Sequence, residues 1–302
     1  MNQYYSRRLA RDSRLQSHFR GLLPHEVFFG LMLVTLWARL AIATGPLGGD
    51  TLFYMAVIAV NIACVWYTRA RDTPLNWRIG ILFYPVFMNV IYMNLKETIP
   101  RLHPGRADAA LQQVDSLLVG TNLSIRLQPL VHPALTEFFS FCYILFFPYL
   151  VISMVTYFLG DVGLLKKFVI GLFSIYGIGF LGYSLAPAVG PGIAMAGRFS
   201  VPLDGWWITR WNSTLVERGS NGVDVFPSLH CAVSSYLLFF DRRHKPWRFR
   251  LYLVPCAGLW CSTVYLRYHY FVDIVCGFAL GAFGLWLARR YPRETAGLTD
   301  QT

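Results

Sequence analysis

Eight apolar runs dominate this sequence and constrain its fold more than any other feature. A helix needs about 17–25 mostly apolar residues to cross a bilayer, and in lipid it pairs its own backbone polar groups. The run at 225–240 is the weakest, because it is short and Pro227 falls in its first turn. We predict an all-α, polytopic transmembrane helical bundle of about eight spans. The runs lie at about residues 27–44, 51–68, 79–95, 136–159, 168–186, 225–240, 251–266 and 270–288.

The composition supports a membrane protein. Hydrophobic residues make up 55% of the 302 residues and charged residues 14%, whereas soluble domains carry about 25% charged residues. The net charge of +11 could indicate a nucleic-acid partner, but no basic stripe with interleaved aromatic residues occurs outside the loops. We therefore predict membrane lipids as partners, and no nucleic acid.

The distribution of basic residues predicts an orientation. With the N-terminus inside and the spans alternating, two thirds of the 27 Lys and Arg residues fall on inner segments. The positive-inside rule therefore places both termini in the cytoplasm. Residues 1–20 are basic and lack the apolar centre of a secretory signal. We expect a multi-pass protein of the cell (inner) membrane, with its site on the periplasmic or extracytoplasmic side.

Two long outer connections stand out. Residues 96–135 contain the amphipathic stretch DAALQQVDSLLVG, which could lie along the membrane interface. Residues 187–224 contain Trp206, Trp207 and Trp211, which are natural interface anchors. The two connections could roof an outward-facing site, or they could be ordinary loops that rest on lipid headgroups. The sequence favours neither interpretation.

A histidine and an aspartate form the most informative pair. Asp273 follows His269 by four residues, so on a helix both side chains would share a face. An ionisable residue at that depth is costly unless it has a partner and a purpose. A carboxylate bound to one imidazole nitrogen fixes the tautomer and leaves the other free to attack phosphorus, giving a phosphohistidine. A second histidine, His230, could protonate the leaving group.

A transferring phosphoryl group also needs hydrogen-bond donors and positive charge. Backbone N–H groups at the starts of these helices can supply donors. The side chains we expect to bind substrate are Ser228, Arg267, Arg198 and Arg126.

Structural interpretations compete with the catalytic one. A lone histidine at a helix end is usually an interfacial or capping residue, and an intramembrane aspartate can pair with an arginine. Two histidines could also ligate haem or a metal, but no further clear ligand is present, so we expect no metal and no cofactor. Spacing alone leaves the enzyme and structural interpretations equally open. The remaining histidines, which we expect at surfaces or interfaces, are His18, His25, His103, His132 and His244.

The six cysteines lie in apolar segments without a CxxC pair. This spacing supports neither a disulfide framework nor a zinc site, so we predict that they are packing residues. They are Cys64, Cys142, Cys231, Cys256, Cys261 and Cys276.

Two segments resemble motifs of the type 2 phosphatidic acid phosphatase superfamily. Pro227-Ser228-Leu229-His230 is similar to its Pro-Ser-Gly-His motif, and Ser262-Thr263 followed by His269 and Asp273 is similar to its Ser-Arg, His and Asp motif. Leu229 replaces the glycine and Thr263 replaces the arginine. The segments 226–230 and 265–273, with Leu185-Ala-Pro-Ala-Val-Gly-Pro191, also resemble the inositol phosphorylceramide synthases that aureobasidin inhibits and their bacterial relatives.

The resemblance covers about residues 110–290 and implies a six-helix phosphatase-like core. It implies that His269 is the nucleophile, that Asp273 orients it and that His230 protonates the leaving group, without metal. The family's first motif, Lys, six residues and Arg-Pro, has no clear match, and Arg267 could compensate. We divide the chain into a basic cytoplasmic arm at 1–26, N-terminal spans at 27–95, an outer interfacial segment at 96–135, a catalytic membrane core at 136–290 and a cytoplasmic tail at 291–302.

The resemblance implies two reactions from one intermediate. Water attacking the phosphohistidine gives a phosphatase, and an alcohol acceptor gives a phosphotransferase that moves a headgroup between lipids. The similarity to the synthase branch favours transfer, from a phospholipid or a polyprenyl-linked phosphate. A different class of function is a proton-coupled lipid transporter or flippase, with His269 and Asp273 as a proton relay. A haem-binding membrane protein is a third possibility.

Overall fold

The computed structural model describes residues 21–70 and 73–291, and most of these residues are helical. Within these ranges the only β pairing is an isolated bridge between Ala188 and Asp224. The predicted all-α fold is confirmed. Most of the predicted arm and almost all of the predicted tail, together with His18, lie outside the described residues.

The described residues form thirteen α-helices, numbered in chain order, and two short 3₁₀ turns, Gln128–Leu130 and Ala196–Arg198, lie between them. The helices are α1 (Pro24–Thr44), α2 (Gly49–Ala70), α3 (Pro74–Leu102), α4 (Asp108–Val119), α5 (Leu123–Arg126), α6 (Pro133–Ile144), α7 (Phe146–Phe158), α8 (Val162–Leu185), α9 (Pro191–Ala194), α10 (Trp207–Gly219), α11 (Leu229–His244), α12 (Pro246–Tyr265) and α13 (Phe271–Arg290).

Six helical segments of the described chain are long and apolar enough to cross a membrane. They are α1, α2, α3, the continuous pair α6–α7, α8 and α13. The protein is therefore an integral membrane protein. The other two predicted spans correspond to α11, which has 16 residues and ends in a charged turn, and α12, which starts with Trp247, Arg248 and Arg250. The count of eight spans and the orientation stay predictions.

The predicted span at 136–159 consists of two helices that meet at Leu145. Pro148 has no N–H to donate to the carbonyl of Ile144, so the helical ladder is interrupted at this point. The interruption directs the aromatic start of α7 toward α11.

Helix α11 lies between α8 and α13, and glycines on both neighbours allow close backbone approach. A side chain at Gly179 of α8 would meet Leu229, and one at Gly277 of α13 would come within 2.5 Å of the Ser228 carbonyl oxygen. Small residues at such positions let membrane helices approach closely. The glycines therefore fix the start of α11, which carries His230.

The three N-terminal helices pack on this core through α8. The backbone of Phe28 and Phe29 in α1 lies against Gly177 of α8. The Arg39 guanidinium of α1 donates to the Ser184 carbonyl at 2.9 Å and to its hydroxyl at 3.1 Å. These contacts bring α1–α3 to the end of α8 that adjoins the segment 186–192.

A buried ion pair stabilises the opposite end of α11. The Arg248 guanidinium donates from Nε and Nη2 to the two carboxylate oxygens of Asp241, at 2.5 and 2.6 Å. The hydroxyls of Tyr149 and Tyr157 donate to the same carboxylate at 2.8 and 2.5 Å. Both charged side chains are 1% exposed, so this network joins α11 and α12 to α7 within the protein interior.

Candidate active site

The two predicted histidines lie together at one end of the core. His230 is the second residue of α11, whose N-terminal cap is the Ser228 hydroxyl, which accepts a hydrogen bond from the Cys231 amide at 3.4 Å. His269 lies in the short connection between α12 and α13. The centroids of the two imidazole rings are 6.0 Å apart. His269 is 3% exposed, whereas His230 is partly exposed.

Asp273 lies beside His269, but the local geometry differs from the prediction, and His269 Nδ1 has no hydrogen-bond partner among the described residues. His269 precedes the cap residue Tyr270, so it is not part of the helix that carries Asp273. Asp273 is the third residue of α13, and its carboxylate turns back to accept a hydrogen bond from the Tyr270 amide at 2.8 Å. This places Asp273 Oδ2 at 3.5 Å from His269 Nδ1.

Burial defines the electrostatics of the pair. Asp273 is fully buried, and its Oδ1 atom has no hydrogen-bond partner among the described residues. Burial lowers the pKa of His269 to about 4, because removing an imidazolium from water is costly. A neutral imidazole keeps the lone pair that a nucleophile requires.

Backbone hydrogen bonds join the two segments directly. The Ser228 amide donates to the Asp273 carbonyl at 3.1 Å. The Thr263 carbonyl accepts from the amides of Tyr268 and His269 at 3.0 and 2.9 Å. The Thr263 hydroxyl donates to the Trp260 carbonyl at 2.8 Å, so the residue that replaces the family's arginine is used within its own helix.

Aromatic side chains surround His230. The ring centroids of Tyr143 and Phe146 lie 4.7 and 4.8 Å from the imidazole. Tyr143 also contacts Tyr268, the residue before His269, at 4.9 Å. The start of α7 and the end of α6 therefore give the two histidines a largely apolar wall.

Asp224 is a candidate site residue that sequence reasoning missed. Its carboxylate accepts hydrogen bonds from the hydroxyls of Tyr92, on α3, and Ser220. A carboxylate at this position favours the protonated forms of His230 and His269, against the larger effect of their burial. A carboxylate six residues before His230 in an apolar segment was an available signal, but its partner Tyr92 is 132 residues away.

The predicted phosphate-binding side chains occupy different environments. Ser228 is buried, and its hydroxyl serves as the cap of α11. The Arg267 guanidinium donates to the Val201 carbonyl at 2.5 Å and lies 4.1 Å from the Phe199 ring centroid. Burial lowers the pKa of Arg267. Arg267 is thus turned toward the loop between α9 and α10.

Arg198 and Arg126 are exposed residues of the same loop layer. The Arg198 guanidinium contacts the Met195 sulfur at 3.8 Å. Gln128, two residues after Arg126, accepts a hydrogen bond from the Ser200 amide at 2.8 Å and donates to the Arg198 carbonyl at 3.3 Å. The loop segments that carry the three arginines are therefore in contact with one another.

Helix α10 covers the connection that carries His269. Glu137 of α6 accepts hydrogen bonds from the amides of Trp206, Ile208 and Thr209 at the start of α10. Asn212 Nδ2 donates to the Tyr268 hydroxyl at 3.0 Å. The three predicted anchors, Trp206, Trp207 and Trp211, are exposed. One face of α10 thus contacts the site, and the tryptophans remain available to the membrane interface.

The cysteines are all free thiols, and four of them are buried as packing residues. Cys261 is exposed and Cys276 is half-buried, so the packing prediction does not extend to Cys261. Within 21–70 and 73–291, no three or more His, Cys, Asp or Glu residues are grouped to hold a metal ion.

Comparison with known proteins identifies the family. The model of the PAP2 superfamily, the type 2 phosphatidic acid phosphatases, matches residues 109–287, which is more than half of the chain. No curated protein and no solved structure matches the chain. The match includes both histidine motifs, and it indicates a phosphatase-type enzyme that acts on lipid phosphates. This integral membrane protein belongs to the PAP2 superfamily.

Proposed function

We propose that this protein is a membrane lipid phosphotransferase. It would act on a phospholipid or polyprenyl-phosphate headgroup at the outer membrane face, through a phosphohistidine on His269, and pass the group to an alcohol acceptor. The observation that carries the proposal is the arrangement of His269 against Asp273, at 3.5 Å, with the His230 ring 6.0 Å away.

In the first step, the free imidazole nitrogen of His269 attacks the phosphorus of the donor. A P–N bond forms, and the P–O bond to the leaving alcohol breaks. Protonated His230 gives its proton to the leaving oxygen. The Asp273 carboxylate orients His269 and stabilises the positive charge that develops on it. Burial disfavours protonated His230, and we assign to the Asp224 carboxylate the partial offset of that cost.

In the second step, the acceptor hydroxyl loses its proton to His230 while its oxygen attacks the phosphorus. The P–N bond breaks, and His269 returns to its neutral form. Water in place of the alcohol would give hydrolysis, so simple lipid-phosphate phosphatase activity is the alternative. The aromatic wall formed by Tyr143 and Phe146 supports transfer, because it limits access of water and favours a lipid acceptor.

We assign phosphoryl binding to the region between α11 and the outer loops. The first amides of α11 have no partner within that helix and can donate to phosphoryl oxygens. The Ser228 hydroxyl orients this turn. Arg267, Arg198 and Arg126 attract the negatively charged headgroup to the outer loop layer, in the role that the missing first motif would otherwise fill.

The test uses purified protein in lipid nanodiscs with headgroup-labelled phospholipid, with and without a lipid alcohol, in metal chelator. We expect labelled product lipid to exceed the released, water-soluble phosphorylated headgroup when the alcohol is present. His269→Ala, Asp273→Ala and His230→Ala should each lose activity by about 10³-fold or more. His103→Ala is the matched control, since within the described residues the His103 ring hydrogen-bonds only to the Gly105 carbonyl, in its own turn.

Trapping the intermediate separates covalent from direct transfer. Label from the phosphate should remain on wild-type protein and be released by acid, and His269→Ala should retain none. Full activity of His269→Ala would end the proposed mechanism. Water-soluble phosphorylated headgroup as the main product at saturating alcohol would favour the hydrolytic alternative.

A further inference from the structure

Helix α4 approaches the connection between α12 and α13 through two buried carboxylates. We propose that Asp115 and Asp108 are positioning residues, which hold the His269–Asp273 segment in its reactive geometry. The proposal rests on the proposed function, because it assigns these residues a role in the same site. Neither carboxylate forms a hydrogen bond with His269 or His230, so each would act through the backbone and side chains between them.

Asp115 caps the helix that carries Asp273. Its Oδ2 atom accepts a hydrogen bond from the Phe271 amide and its Oδ1 atom from the Val272 amide, both at 2.9 Å. These are the first two N–H groups of α13, which have no partner within the helix. A helix usually fills this need with its own cap side chain. Here the cap residue is Tyr270, and a carboxylate 156 residues away supplies the acceptor.

Asp108 joins two loops around His269. Its Oδ1 atom accepts a hydrogen bond from the Tyr270 hydroxyl at 2.9 Å and from the Gly190 amide at 3.0 Å. The Val189 amide also donates to this carboxylate, at 3.2 Å. The segment 186–192 is thereby held against the residue that follows His269.

The backbones of these loops are already in contact. The Gly192 amide donates to the Arg267 carbonyl at 2.8 Å. A side chain at Gly190, whose φ is +84°, would come within 2.3 Å of the Tyr268 carbonyl oxygen. The two residues before His269, Arg267 and Tyr268, therefore pack against residues 190–192. Helix α4 binds the residues that follow His269.

Simple docking of α4 would not require this arrangement. Asp108 and Asp115 are seven residues apart, two turns along one face, with buried Leu111 between them. Burying a carboxylate is costly unless it is hydrogen-bonded, and here each accepts several hydrogen bonds. Leu117 and Leu118, elsewhere on the helix, are 86% and 56% exposed. Apolar anchoring was thus available, and the buried face instead carries the acceptors that the site's backbone needs.

The experiment compares Asp115→Ala, Asp115→Asn and the exposed control Gln113→Ala in the full chain. Misplacement by about 1 Å can cost about 10²-fold in rate, so we expect kcat to fall 10- to 100-fold in Asp115→Ala with KM within about threefold. Asp115→Asn keeps one acceptor oxygen and should recover most of kcat. Gln113→Ala should match the wild type.

Hydrogen exchange of the peptide 267–275 provides a readout independent of turnover. Asp115→Ala should speed exchange of the Phe271 and Val272 amides about tenfold or more, because their acceptor is lost. Unchanged exchange, unchanged kcat, or a kcat loss explained entirely by a smaller folded fraction would overturn the proposal. If the wild type turned over no lipid phosphate, the proposed function would fail, and the exchange result would still decide whether α4 holds this segment.

Discussion

Replacing Gly277 with alanine should separate the two catalytic segments without removing any polar group. The new Cβ atom would lie 2.5 Å from the Ser228 carbonyl oxygen and 3.1 Å from the Cys231 Cβ. Contacts below about 3.0 Å are essentially never seen for real Cβ atoms, so α11 and α13 must separate by about 0.5 Å at this point. The Ser228 amide bond to the Asp273 carbonyl, now 3.1 Å, would lengthen with them.

The separation acts on both stability and rate. Overpacking of this kind costs about 1–3 kcal/mol, which should lower the thermal midpoint by several degrees. Because His230 is two residues after Ser228, its distance from His269 should also grow. A shift of this size, relative to the 10²-fold cost of about 1 Å, should reduce kcat about tenfold.

Two other glycines serve as controls. A side chain at Gly281 would clash with the Ala232 carbonyl oxygen at 2.7 Å, one turn farther from the site. Gly30 of α1 has open space around it. Turnover and thermal unfolding would be measured for all three alanine variants in nanodiscs. Gly281→Ala should lose stability with a smaller loss of kcat, and Gly30→Ala should lose neither. Wild-type kcat in Gly277→Ala would refute the reasoning.

Three further variants test other parts of the structure. Asp241→Asn leaves buried Arg248 without its counter-charge and should destabilise the protein by about 3–5 kcal/mol. The loss would be measured as a lower thermal midpoint. An unchanged midpoint would contradict a stabilising role for the Asp241–Arg248 ion pair. Tyr92→Phe removes one donor to Asp224, a change of about 1 kcal/mol, so label transfer in a single turnover should slow about fivefold. An unaltered rate would remove Tyr92 from the site. Arg267→Ala should raise KM or abolish turnover, and near-normal kinetics would show that this arginine only orders the outer loop.

Local sequence patterns predicted the helices well because apolar periodicity is a local property. The run at 79–95 lies within α3. The run at 168–186 lies within α8 except for its last residue, Ala186. The break at Leu145 was missed, since apolar residues continue through it on both sides. Helix α11 was found as an apolar run, although its central position became clear only from its packing.

The histidines and Asp273 could be predicted because their spacing matches a motif. The geometry that brings Asp273 to His269 differs from the predicted one. Asp273 lies in the first turn of α13 and its side chain turns back toward His269, which is not part of that helix. Asp108 and Asp115 were part of a stretch read only as amphipathic. Their partners lie 81 to 162 residues away, and no local pattern reports contacts of that range.

The contact between Tyr92 and Asp224 joins a helix outside the family-matched residues to the candidate site. Helix α3 lies outside the family-matched residues 109–287, yet its tyrosine donates to Asp224, and its Tyr92 carbonyl accepts from Asn221 Nδ2 at 3.2 Å. Helix α3 therefore contributes directly to the candidate site, in addition to any role as a membrane anchor. A chimera that exchanged α1–α3 for helices of another protein would need a hydroxyl in the position of Tyr92 to retain the activity.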